Sequence, residues 1–208
     1  RALRQVETPL VLYFHEDYFL EAPVHVAFID EMATKMLADP SIRHIGLTHF
    51  GSDGPFAHAD DARLCQISQD ARYRLSTQVG LWRVETLLRY LRPEENAWMF
   101  EIYGSARARK VTETLLTTNR AVLHPRLGTG VVQYTITGII KGRWHPAMPA
   151  LFEKHGLAVD FSKRGFFAPR PALLNRWDIF RKLITHPSRF LEVAPTLLKR
   201  IRRVNGES

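Results

Sequence analysis

A chain of 208 residues with 45% hydrophobic content can bury one good core and has no room for a second full domain. Its single cysteine, Cys65, excludes an intrachain disulfide and favours a reducing, cytoplasmic setting. The net charge of +8 is local: residues 1–162 hold 18 Lys/Arg against 18 Asp/Glu and residues 163–208 hold 11 against 3, so the excess belongs to a tail.

Pro9–Phe14 is a short β-rich apolar run that fits a buried strand, and it ends in His15-Glu16-Asp17. Val26–Ala38 has the period of an amphipathic helix, with Phe28, Ile29, Met32, Met36 and Leu37 on its apolar side. Asp39-Pro40-Ser41 ends it, and Ile42–Thr48 resembles a second strand. Phe50–Asp61, with Gly, Ser, Asp and Pro, predicts a loop. Trp82–Leu91 has helical periodicity closed by Arg92-Pro93. Val131–Lys141 is β-branched and fits a strand; Pro146–His155 fits a helix capped by Gly156. Leu173–Thr185 and Arg189–Arg203 predict two basic amphipathic helices. Alternation of the two element types gives an α/β class, divided into a body over 1–165 and a basic tail over 166–208. No G-x-G-x-x-G or Walker A sequence occurs, which removes the common phosphate loops as an explanation.

Three stretches carry residues capable of chemistry. Glu16 and Asp17 follow a strand directly, at the sheet edge where open α/β folds place ligands, and paired carboxylates suit a hard divalent cation. The same dipeptide equally suits a solvated turn. Glu95 and Glu101 stand on either side of Trp98 and Phe100, whose apolar surfaces would desolvate a carboxylate toward the pKa of a general base. The plainer alternative for Glu101 is an ion pair with an arginine of the 107–110 run. Gln78, Trp82 and Arg83 follow and flank a glycine before the predicted helix, where Trp82 is either a wall for a sugar ring or a core residue. His145 is a candidate third metal ligand; no pair of histidines has the spacing of a helical zinc site.

In their order along the chain these stretches resemble a group of bacterial GT-A-like glycosyltransferases of capsule and lipopolysaccharide biosynthesis. The resemblance spans about residues 5–165. It is carried by Leu12-Tyr13-Phe14-His15-Glu16-Asp17-Tyr18-Phe19-Leu20, then by Gln78, Trp82, Arg83, Leu87, Leu88 and Leu91. Pro93, Glu95, Asn96, Trp98, Phe100, Glu101, Gly104 and Ser105 form its most specific segment, and Gly142-Arg143-Trp144 closes it.

This resemblance implies a partial GT-A (Rossmann-like) fold, a nucleotide-diphosphate sugar donor and a divalent metal, Mn²⁺ or Mg²⁺, near Glu16-Asp17. It also implies a glycan or lipid-linked acceptor, an inverting transfer with Glu101 or Glu95 as the base, and Gln78, Trp82, Arg83 and Trp98 against substrate. Met99 stands where the family commonly has an acid, which leaves the role to those two glutamates. Members of the family have a nucleotide-binding half ahead of the metal motif, and the motif at 16–17 implies that this chain is a fragment lacking it. The basic tail, residues 172–203, would hold such an enzyme against anionic phospholipid at the inner face of the membrane. A non-catalytic carbohydrate-binding or assembly protein on a degenerate GT-A scaffold is the alternative. Nucleic acid is not an expected partner, because the charge is not interleaved with aromatics on the body.

Overall fold

A computed structural model describes residues 2–50, 57–58, 60–135 and 137–168; the two predicted basic helices and nearly all of the predicted tail lie outside the described residues. The architecture is mixed α/β. Six strands form one sheet: β1 (Leu10–Tyr13), β2 (Ile42–Gly46), β3 (Ala57–His58), β4 (Asp61–Gln66), β5 (Gly80–Arg83) and β6 (Thr114–Thr118). Their spatial order is β1-β5-β2-β6-β4-β3. β2 and β6 are parallel, whereas β5 runs antiparallel to both of its neighbours, β1 and β2. β1, β2 and β6 therefore end at the same edge of the sheet, where β5 begins. Register fixes this edge: Gly80 lies opposite both Tyr13 and Gly46, and Gly46 lies opposite Thr117.

Neighbouring residues in the central strands face opposite ways, so each strand feeds two cores. Ile45, Leu81 and Leu116 join one cluster, whereas Trp82 and Leu115 join the other. The first cluster is covered by α1 (Val26–Ala38), whose Phe28, Met32 and Met36 are buried one turn apart on a single face. His25 caps that helix by accepting the Phe28 N–H on Nδ1 at 3.2 Å. The second cluster is covered by α2 (Val84–Tyr90) and by a segment running through α3 (Ala97–Met99), a π-helical turn over Phe100–Gly104, and α4 (Ser105–Ala108). Downstream, the hairpin of β7 (Ile139–Ile140) and β8 (Arg143–Trp144) leads into α5 (Met148–Lys154). Gly156 follows α5 at φ 65°, the left-handed cap the sequence predicted.

Several elements differ from the sequence-based expectation. β1 is an edge strand and only half-buried, with Leu12 46% exposed. Trp82 and Arg83 are not helical; they complete β5, and the chain turns into α2 only at Val84. Val131–Lys141 is not a continuous strand. Val131 and Val132 drop into the core, Tyr134 makes a single bridge to Leu20, and only Ile139–Ile140 pairs regularly. Among the described residues, no helix is long and apolar enough to cross a membrane.

Candidate active site

The end of β1 delivers Tyr13, His15 and Asp17 to the shared sheet edge. His15, Glu16 and Asp17 each offer a ligand atom, and those atoms lie within 4.8 Å of one another. Asp17 is held in place from far along the chain: Thr137 Oγ1 donates to its Oδ2 at 2.6 Å, and the Gly138 N–H donates to its carbonyl at 2.7 Å. The other carboxylate oxygen, Oδ1, is buried with no hydrogen-bond partner among the described residues, and His15 Nδ1 lies 3.8 Å from it. A buried carboxylate oxygen without a donor carries a desolvation cost that no described contact offsets.

The imidazole that joins the acid pair is thus His15, and His145 stands outside the cluster. His145 is tied to the same loop through its backbone N–H, which donates to Gly138 O at 2.8 Å, while its Nδ1 accepts the Ala147 N–H at 3.1 Å.

An aromatic ladder leads away from His15. Its ring stacks on Tyr18 at 5.0 Å, and Tyr18 stacks on Tyr134 at 4.5 Å. Gln78 keys the two tyrosines together. Its Nε2 donates to Tyr18 Oη at 3.2 Å, and its Oε1 accepts from Tyr134 Oη at 2.7 Å. Burial pushes Tyr18 up to about 12, aided by the charges of Glu101 and Asp17 and opposed by hydrogen bonds with Thr77 and Gln78. Burial likewise pushes Tyr13 up to about 12, reinforced by Tyr18, Glu101 and Glu16. Both phenols stay protonated at neutral pH, and Tyr18 Oη donates to the Thr77 carbonyl at 3.5 Å. Tyr13 Oη lies 2.6 Å from His15 Nε2.

Glu101 sits in the π-helical turn, a conformation that recurs at functional sites. Its Oε1 accepts three hydrogen bonds, from Thr77 N at 2.8 Å, Thr77 Oγ1 at 2.9 Å and Ser76 Oγ at 3.1 Å. The anticipated setting between Trp98 and Phe100 is therefore replaced by a polar cradle on the segment entering β5. Ser76 and Thr77 line a cleft of about 240 Å³, with Tyr13 and His15 on one wall and Asn96 and Phe100 on another. Of the acidic cluster His15 lines this cleft, and of the cradle of Glu101 Ser76 and Thr77 do.

The remaining predicted site residues have structural work. Glu95 also borders this cleft, but its carboxylate meets Arg107 with both oxygens, at 2.6 and 2.8 Å, and its side chain is 2% exposed. This replaces the expected ion pair of Glu101 with one of Glu95. Trp82 is fully buried and packs on His44 at 4.0 Å, the core role of its two alternatives, although it also borders this cleft. Arg83 is buried as well. It donates to the carbonyls of Ile42 and Asp39, at 2.9 and 3.1 Å, and to that of Met36, tying the end of α1 to β2. Trp98 is half-buried beside Met99 and Tyr103, away from the lining of the cleft.

Tyr134, Ser76, Thr77 and Thr137 escaped the sequence reading, and Tyr18 stood in its first motif without a role. Ser-Thr before a strand is a weak local sign, and a bond from Thr137 to Asp17 leaves no trace in linear sequence. No protein-family model, curated protein or solved structure matches this chain.

Proposed function

We propose that this chain carries the metal-binding and acceptor-activating part of a nucleotide-sugar glycosyltransferase built on a GT-A-type fold. The observation that carries the reading is the His15-Glu16-Asp17 cluster: its buried Asp17 Oδ1 is unpartnered among the described residues, and its His15 lines the same cleft as Ser76 and Thr77, the residues that hold Glu101. Two carboxylates and an imidazole make a donor set that fits Mn²⁺ or Mg²⁺, with the remaining positions left to water and substrate phosphate. If His15 binds through Nδ1, its Nε2–H donates to Tyr13, the outer-shell support such a ligand needs. When bound, the cation offsets negative charge on a departing diphosphate.

The protein's own residues supply the rest. Anchoring of Glu101 through Oε1 leaves Oε2 to take the proton from an acceptor hydroxyl. The acceptor oxygen then bonds to the anomeric carbon as the bond to the donor phosphate breaks, and its electron pair leaves on the nucleoside diphosphate. Inversion requires base and leaving group on opposite sides of the sugar. Glu101 and the acidic cluster come from different segments, which suits that demand. The outer edge of β1 has no partner strand among the described residues, and strands of a nucleotide-binding half would extend the sheet there.

The test is release of nucleoside diphosphate from a panel of nucleotide sugars, with Mn²⁺ or with EDTA. Turnover should require the metal and disappear in Asp17→Asn. Glu101→Gln, which keeps the shape of the cradle, should lower kcat by about 10²- to 10⁴-fold. Absence of both turnover and metal-dependent nucleotide binding would overturn the enzyme reading in favour of a non-catalytic carbohydrate-binding scaffold.

A further inference from the structure

Tyr134, at the end of the aromatic ladder, also lines a second cleft of about 380 Å³. The composition of this cleft differs from that of the first. Phe50 lies 5.4 Å from Tyr134, and together they supply apolar ring surface. His49 and His124 meet edge to face at 4.7 Å, and Arg126 borders them. Glu21 and Gln133 complete the polar wall, with Thr135 Oγ1 donating to Glu21 Oε1 at 2.5 Å.

The basic end of this cleft has donors to spare. His124 Nδ1 accepts the Arg126 N–H at 3.0 Å, which places the proton of a neutral ring on Nε2. His49 Nδ1 is buried with no hydrogen-bond partner among the described residues. Arg126 is exposed and forms no ion pair with a described residue. Burial first, and then the charges of His124, Arg120 and Arg126, hold His49 toward its neutral form, with Glu21 opposing. The local field is therefore positive despite one carboxylate.

Two imidazoles and a guanidinium offer several donors to one compact anion, a match for the oxygens of a phosphate. Aromatic faces beside a carboxylate and an amide are what a sugar ring and its hydroxyls require. We propose that this second cleft binds a phosphorylated sugar, the phosphate between His49, His124 and Arg126 and the ring against Phe50 and Tyr134. Resting on the transferase reading, this sugar is part of the acceptor, one ring contact away from the ladder that ends at the acidic cluster.

The experiment is calorimetric titration of the full chain, in EDTA, with a glucose monophosphate, inorganic phosphate or free glucose. The sugar phosphate should bind more tightly than inorganic phosphate, and free glucose should show no measurable binding. His124→Gln and Arg126→Gln should each weaken binding by about tenfold or more, while Asp17→Asn leaves it unchanged. Affinity should rise as pH falls below about 6.5, as His49, held toward its neutral form by burial and by His124, Arg120 and Arg126 against Glu21, gains charge. Loss of binding in Asp17→Asn would overturn the inference, because the phosphate would then belong to the acidic cluster. So would indifference to both basic-site variants, or no binding at all. Equal affinity for inorganic phosphate would overturn recognition of the sugar. Since every arm excludes metal, failure of the transferase reading leaves this result standing by itself.

Discussion

Replacing Arg107 by methionine separates the two glutamates that compete for the role of base. In the folded protein Arg107 spans both oxygens of Glu95 at 2.6 and 2.8 Å and also donates to the Tyr90 carbonyl at 2.8 Å. The Glu95 side chain is 2% exposed and that of Arg107 17%, so water cannot replace the lost partner. Arg107→Met removes a partner that meets both oxygens of a buried carboxylate, a change that costs about 3–5 kcal/mol in comparable pairs. For a chain of this size that is a fall in Tm of roughly 10 °C. Glu95→Gln/Arg107→Met removes the charge at both ends and should recover most of the loss, so the two single effects will not add. Thermal melts and urea titrations of the four proteins measure this cycle. A cost below about 1 kcal/mol for Arg107→Met would mean that the pair behaves as an exposed one. Glu95 would then be held too weakly to be excluded, and the assignment of the base to Glu101 alone would fail.

Three further outcomes follow from the packing. Trp82→Ala should cost about 3–5 kcal/mol, because the ring is fully buried against His44; reduced donor turnover in a protein with unchanged urea stability would contradict a core role. His44 is held down to about 3 by burial, against an opposing hydrogen bond with the Leu81 carbonyl. Its folded value lies below its unfolded one. The neutral ring therefore contributes fully above about pH 6.5, and stability is lost toward pH 3 by up to about 1.4 kcal/mol per pH unit. His44→Leu should flatten that slope in urea titrations, and an unchanged slope would refute the attribution. In Gly138→Ala the new Cβ would collide with the Phe19 ring and sit 2.9 Å from Met148 Sδ. Displacing this loop disturbs the Gly138 and Thr137 bonds to Asp17, so stability should drop by about 1–3 kcal/mol, with weaker Mn²⁺ binding by electron paramagnetic resonance.

Local pattern made some of this protein legible. α1 was readable to the residue because Phe28, Met32 and Met36 recur at helical spacing and Asp39-Pro40 stops the helix. β1 and β2 were readable as short apolar runs before polar clusters. The sheet as a whole was not. β4 is the sequence DARLCQ and β6 is TLLTT, neither apolar nor strictly alternating, and both owe their strand conformation to partners distant in sequence. β5 is buried on both faces and runs into α2 without a turn, so its Trp82 and Arg83 joined the helical period that follows. Chemistry followed the same division. Glu16, Asp17 and Glu101 were visible as acids in suggestive places. Arg83 and Glu95 looked equally available, and only the tertiary contacts of their side chains show them to be engaged elsewhere.

The π-helical turn at Phe100–Gly104 also sets a length. Glu101 bonds Thr77, and four positions later Ser105 Oγ bonds the backbone of Leu75, accepting from its N–H at 2.9 Å and donating to its carbonyl at 3.2 Å. Two points on one helical segment thus grip two points on one extended segment. A π turn accommodates more chain than an α turn does, so deleting one residue there would shorten the segment and change the spacing between Glu101 and Ser105. Both grips could not then be kept. The segment works as a gauge: side chains within it can change and leave the spacing intact, whereas the count of residues between Glu101 and Ser105 cannot.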